Sequence, residues 1–109
     1  MAVTYKVLGQ VAPSATTLTD LYVVPSATEV VLSSIIIANR GATPTSYRVA
    51  ILPFLATLGN PHYIAFDVEI SAEDSTTLTL GVTMRAGDKV VVYATNSNIS
   101  FSVFGMELA

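Results

Sequence analysis

The chain contains no cysteine. That removes disulfides, zinc–thiolate sites and thiol chemistry, and leaves packing and strand pairing as its sources of stability. Charge is scarce as well: 12% of the 109 residues are Asp, Glu, Lys or Arg, against roughly a quarter in an ordinary soluble domain. Five basic and eight acidic residues give a net charge of −3, and no two basic residues are adjacent. A phosphate-binding surface needs clustered Lys and Arg, so nucleic acid is not an expected partner. No uninterrupted apolar run approaches the ~18–20 residues of a spanning helix, so no membrane is expected either. The opening MAVTYKVLGQV holds one Lys in an alternating pattern and reads as a first strand, not an export signal.

Chemistry-bearing motifs are just as sparse. The six glycines form neither GxGxxG nor GxxxxGK, so no phosphate-cradling loop is implied. No Ser or Thr sits in a nucleophile elbow. His62 is the only histidine. A catalytic His needs a nucleophile and an orienting partner, and a lone His lacks the clustering of a metal site; a structural role is expected. Asp67 and Glu69 share a strand face with Glu73 and Asp74 in the following turn. These could hold a hard cation, or be a solvated face that discourages edge pairing. The expectation is no enzyme and no cofactor.

What the sequence has in quantity is apolar residues, 51% of the chain, with a mean hydropathy of +0.59. So much apolar surface with so little charge favours burial in an assembly. The length suits one domain with one core. Thr28 to Gly41, TEVVLSSIIIANRG, is the most apolar stretch and reads as a strand closed by a turn. Strict alternation puts Val30, Leu32, Ser34, Ile36 and Ala38 on one face and Val31, Ser33, Ile35 and Ile37 on the other. Both are mostly apolar, which predicts cover on both sides, with Ile36 in the core.

Around it, alternation over residues 3–11 predicts a strand with Val3, Tyr5, Val7, Gly9 and Val11 on its apolar face. Residues 16–24 follow, with Asp20 marking a bulge or a strand edge. Residues 46–52 point Tyr47, Val49 and Ile51 inward and Arg48 outward. Residues 62–70 alternate His62, Ile64, Phe66, Val68 and Ile70 against Tyr63, Ala65, Asp67 and Glu69. In 75–84, Leu78, Leu80, Val82 and Met84 point inward. In 89–95, Val90, Val92 and Ala94 share a face. Residues 99–108 change faces near Phe104–Gly105, as at a bulge. Short Gly, Pro and Asn turns separate these stretches. The pattern predicts an all-β chain: a single antiparallel β-sandwich of about eight strands over 1–109, with a jelly-roll among the topologies it allows.

Two features point outward. Phe54 to Asn60 lies between Pro53 and Pro61 and lacks strand alternation, yet carries Phe54, Leu55 and Leu58. Loops face water, so an apolar loop is expected to fold over the sheet or dock on a partner. Arg40 and Arg48 are candidates for fixing register or partner choice, with Glu29, Asp67 or Glu107 as carboxylate partners. Interface residues are thus expected at Phe54, Leu55, Leu58, Arg40 and Arg48. Tyr22, Tyr47, Tyr63 and Tyr93 could form a sugar-stacking platform, or could pack in the core or an interface.

The segments VLGQ, APSATTLTDLYVVPSAT, SSIIIANRGATPTSYRVAI, HYIAFDVEISAEDSTTLTLGVTMRAGDKVVVYA and ISFSVFGMEL resemble a family of small tailed-bacteriophage and prophage virion structural proteins. The resemblance runs from about Val7 to Leu108. Its more specific parts are the NRG turn, the HYIAFDV strand and the FGMEL ending. None is catalytic, so no functional residue carries over. The resemblance implies a virion component of tail, baseplate, fibre, neck or capsid decoration, made in the host cytoplasm. The expected partners are copies of itself, with a trimer favoured, and other virion proteins. The alternative is a carbohydrate-binding module that contacts a host-surface glycan.

Overall fold

The computed structural model describes residues 2–109. Eight strands form: β1 (Val3–Val11), β2 (Thr19–Val23), β3 (Glu29–Asn39), β4 (Thr45–Leu52), β5 (Tyr63–Ile70), β6 (Ser75–Met84), β7 (Lys89–Ala94) and β8 (Ile99–Leu108). A single 3₁₀ turn, Asn60–His62, precedes β5. The strands make two four-stranded sheets, sheet A in the order β1-β8-β3-β6 and sheet B in the order β2-β7-β4-β5. Every pairing is antiparallel. The chain crosses between sheets at every connection except β4 to β5. That is the jelly-roll arrangement of two Greek keys, and the predicted β-sandwich is the observed fold. β1 and β2 touch across the sandwich, and the sheet orders put β6 and β5 on the opposite flank.

The core lies between the sheets. Its fully enclosed members are Val30, Leu32, Ile35 and Ile37 of β3, Tyr47 and Val49 of β4, Val90 and Val92 of β7, and Ile99, Phe101 and Val103 of β8. Tyr47 and Phe101 meet edge-on across it, with ring centroids 6.2 Å apart. The inward rows of β4, β6 and β7 are those that alternation predicts.

β3 departs from its prediction. Leu32 pairs with Gly105 and Ser34 with Phe104, so the register shifts around Ser33. The extra residue turns the strand over, and the inward row becomes Val30, Leu32, Ile35 and Ile37. Ile36 points outward and is 37% exposed, not in the core. The apparent apolarity of both faces arises because one inward row changes parity halfway along the strand.

The same correction applies to β1. The register slips between Val7 and Gly9, so Leu8 packs on the core. Val3, Tyr5 and Val7 lie on the outer face, all exposed. β8 itself does not change faces. Ile99, Phe101, Val103 and Gly105 continue inward without a break, and the irregularities sit on its two neighbours. β2 has its bulge at Leu21, next to Asp20, which lets Leu21 and Tyr22 both be buried.

The NRG turn has a local reason. Asn39 is buried, and its Nδ2 donates to the carbonyls of Thr43 (2.9 Å) and Ser71 (3.1 Å) while its Oδ1 accepts from the Gly41 N–H. One side chain therefore ties the β3–β4 turn to the end of β5. A Cβ at position 41 would sit 2.6 Å from Asn98 Nδ2, so a larger residue there would push that exposed side chain aside.

Candidate interaction surfaces

The five residues singled out in the sequence do not converge. Arg40 and Phe54 flank opposite ends of β4, whose eight residues span roughly 25 Å at ~3.3 Å each. Arg40 donates to Ser100 Oγ (2.7 Å) and to the Ser97 carbonyl (2.9 Å), so it braces the β7–β8 turn. Phe54 packs against Gly87, where a Cβ would come within 2.4 Å of its ring. The loop therefore lies by the β6–β7 turn and does not cover β3. Asp88 accepts the Phe54 N–H and the Arg85 N–H, fastening the two turns together. Phe54 is 62% exposed and Leu55 88%, while Leu58 is half-buried. Leu55 also has φ of +64°, a left-handed conformation that β-carbon-bearing residues rarely hold. His62 accepts the Gly59 N–H on Nδ1 (3.0 Å) and closes its 3₁₀ turn.

Arg48 lies on the outer face of sheet B. Its guanidinium stacks over Phe66, 4.2 Å from the centroid, and over Tyr93 at 4.4 Å. Its Nε donates to Asp67 Oδ1 (2.6 Å) and its Nη2 to Oδ2 (3.3 Å). That hydrogen bond raises the guanidinium pKa above its ordinary value. β5 does not alternate as predicted. Its register against β4 shifts twice, and Asp67 takes φ of +51°. Phe66 therefore joins Tyr63 on the outer face, ring to ring at 4.9 Å, and Asp67 turns to Arg48. Of the four tyrosines, Tyr22 and Tyr47 are core residues; Tyr63 and Tyr93 form the outer cluster with Phe66. Sequence reasoning missed Phe66 because a bulge hides the face a residue takes.

Sheet A carries the third surface. The ladder sets Val3 opposite Leu108, Tyr5 opposite Met106 and Val7 opposite Phe104, with Val31 opposite Met106 on the far side of β8. All belong to the outer face. Tyr5 is 80% exposed, and Val3 and Val7 are about half exposed. A hollow of about 510 Å³ opens among Tyr5, Val31, Ser33, Phe104 and Met106. Towards the other end this face becomes mostly polar, with Gln10, Ser34, Ser100, Ser102, Thr77 and Thr79 around Ile36 and Ala38.

At its edge, Glu107 accepts from Lys6 Nζ (2.9 Å) and from the Tyr22 hydroxyl of sheet B. Burial first, then the Glu107 hydrogen bond, raises the Tyr22 pKa well above its ordinary value. The Tyr22 hydrogen bond, helped by Lys6, lowers that of Glu107. Among the described residues, no three His, Asp or Glu side chains gather as a metal site would require.

No family model matches the chain, and no curated protein matches it. Among solved structures, a chain from the structure of infectious bursal disease virus, Gx strain, is similar, with a TM-score of 0.54 and 9% identity. The match covers 97% of this chain and 31% of that one. The likeness is one of fold: this sandwich, nearly in its entirety, has a counterpart within a larger chain of a virus structure.

Proposed function

We propose that this chain is a non-enzymatic structural module of a bacteriophage particle, bound to copies of itself and to other virion proteins. The observation that carries the proposal is the apolar outer face of sheet A. An isolated domain gains nothing by holding Tyr5, Val3 and Val7 in water beside Phe104, Met106 and Val31, whereas subunit packing removes that surface from water at about 25 cal/mol per Å². The fold likeness to a virus structure and the resemblance to tailed-phage virion proteins support the same reading. The mechanism is burial of apolar surface between subunits, so that a small rigid sandwich locks larger neighbours in place. Tail, fibre and capsid-decorating positions all suit such a module. Mass spectrometry of purified particles from the encoding phage or prophage tests it. The chain is expected in fixed stoichiometry in the particle, and its absence there overturns the proposal.

A second reading, contact with a host-surface glycan, is favoured by one observation: Tyr63, Phe66 and Tyr93 gather around Arg48 on an outer face, next to Asn60. The exposed Phe66 ring, flanked by the half-buried Tyr63 and Tyr93 and a few polar groups, suits sugar stacking. Glycan-array binding that disappears in Phe66→Ala supports it; no binding on the array removes it.

A further inference from the structure

β6 is one of the two edges of sheet A, and it differs from the other three edges of the sandwich. β2 has five residues, a bulge and Asp20. β5 carries Asp67 and Glu69 and two register shifts. β1 has Lys6 and a bulge at Leu8. Each of these is a known way to stop a strand from pairing with a stranger. β6, STTLTLGVTM, runs for ten residues without a charge or a proline, and although its pairing with β3 shifts register once, between Val82 and Thr79, the strand itself keeps period two. Its alternation is unbroken, with Ser75, Thr77, Thr79, Gly81 and Thr83 exposed and the intervening residues at least half-buried. Leu78, Leu80 and Val82 pack on the core from one side only.

Gly81 adds a separate observation. A glycine weakens a strand interior and there often marks a bulge or a close approach of another backbone or ligand. Gly9, Gly41, Gly87 and Gly105 each have an atom within 3 Å of the place a Cβ would occupy, and Gly59, in a loop, has only an ordinary contact at 3.7 Å; Gly81, within a strand, has nothing within 4 Å and no positive φ. It lies where the β3–β6 register shifts, but no neighbouring atom in its own chain excludes a side chain there.

We infer that β6 is a strand-pairing site whose occupant is β6 of a second copy, joined antiparallel about a two-fold axis through Leu80. This rests on the self-assembly in the proposed function and supplies its contact. In that register Leu78 meets the partner's Val82, Leu80 meets its own equivalent, and Thr77 meets the partner's Thr83. Apolar residues thus pair with apolar and Thr with Thr, the favourable cross-strand combinations. Thr79 lies opposite the partner's Gly81. No charge opposes a like charge, which a self-pairing strand in a chain of net charge −3 must satisfy. Two such edges exchange about ten backbone hydrogen bonds, as many as a standard interface holds. The pair is closed, because it uses the β6 edge of both copies and leaves only blunted edges. It makes an even oligomer, in place of the expected trimer.

The test is a charge swap. Thr79→Lys with Gly81→Lys puts like charges directly opposite across the axis, on exposed positions with open space. Thr79→Glu with Gly81→Glu does the same with the other sign. By native mass spectrometry and sedimentation, the natural chain is expected as a dimer, each double variant as a folded monomer with dimerisation weakened about ten-fold or more, and an equimolar mixture of the two as a restored dimer. A monomeric natural chain overturns the proposal. So does an oligomer that both variants leave intact, or a mixture that stays monomeric. A dimer lost on charge swap in a protein absent from particles would instead sink the virion reading and leave the strand pairing standing.

Discussion

At the scale of single residues, the parity change at Ser33 separates two neighbours that a regular strand would place the other way round. Ile35 is fully enclosed and Ile36 is 37% exposed. Burying an Ile side chain contributes about 1.5–3 kcal/mol, and an unpaired carboxylate in its place costs more. Ile35→Asp is therefore expected to abolish cooperative thermal unfolding, while Ile36→Asp changes the unfolding free energy by no more than about 1 kcal/mol. Equal loss in both variants would show that β3 has no bulge.

The Tyr22–Glu107–Lys6 cluster gives a pH dependence. The folded-state pKa of Glu107 lies below its ordinary value of 4.5, so the unfolded chain takes up its proton first as pH falls. The stabilisation is present above that value and is lost as pH drops through the folded pKa. Tyr22 works in the opposite sense: its raised pKa gives stabilisation that is complete below about pH 10 and lost as pH climbs beyond it. Glu107→Gln is expected to have a smaller fall in Tm than the natural chain between about pH 5 and pH 3. Identical falls would mean that the cluster is not coupled to folding.

At the scale of elements, two glycines separate internal from external demands. A Cβ on Gly105 would sit 2.3 Å from the Val31 carbonyl oxygen and 3.1 Å from Leu32 Cα. Those are backbone atoms and cannot move aside without displacing the β3 bulge. Gly105→Ala is expected to destabilise by about 1–3 kcal/mol, measured by denaturant titration, while Gly81→Ala leaves the monomer as stable or slightly more so. A neutral Gly105→Ala would disprove the tight β3–β8 approach. The β4–β5 loop is held by Asp88 and by the Phe54–Gly87 contact, and it presents Leu55 to solvent. Leu55→Asp combined with Leu58→Asp is expected to leave secondary structure intact by circular dichroism and to reduce incorporation into particles. Unchanged incorporation would remove the loop from the interface.

At the scale of the whole molecule, six of the seven connections cross between sheets, so nearly every pairing joins residues distant in sequence. β1 with β8 joins the two ends of the chain. Loop closure must precede these contacts, which makes such topologies slow. Refolding followed by stopped-flow fluorescence is expected on the millisecond-to-second scale. A microsecond phase carrying the full amplitude would contradict this topology.

Alternation, β-branched content and turn residues determined by themselves that the chain is an all-β sandwich of eight strands. They placed the inward rows of β4, β6 and β7, because side-chain direction in a regular strand follows from period two alone. The uncharged, unbroken β6 was also legible as a strand, though not as an edge. Only the tertiary structure decided the faces of β1, β3 and β5. A single inserted residue reverses parity, and its position depends on what the neighbouring strand offers: Gly105 between the bulges of β1 and β3, and Arg48 beside the left-handed Asp67 of β5. The surfaces follow from those reversals. Tyr5 and Val7 moved outward to join Phe104 and Met106, Phe66 moved outward to Arg48, and β6 became a free edge because the sheet order put nothing beyond it.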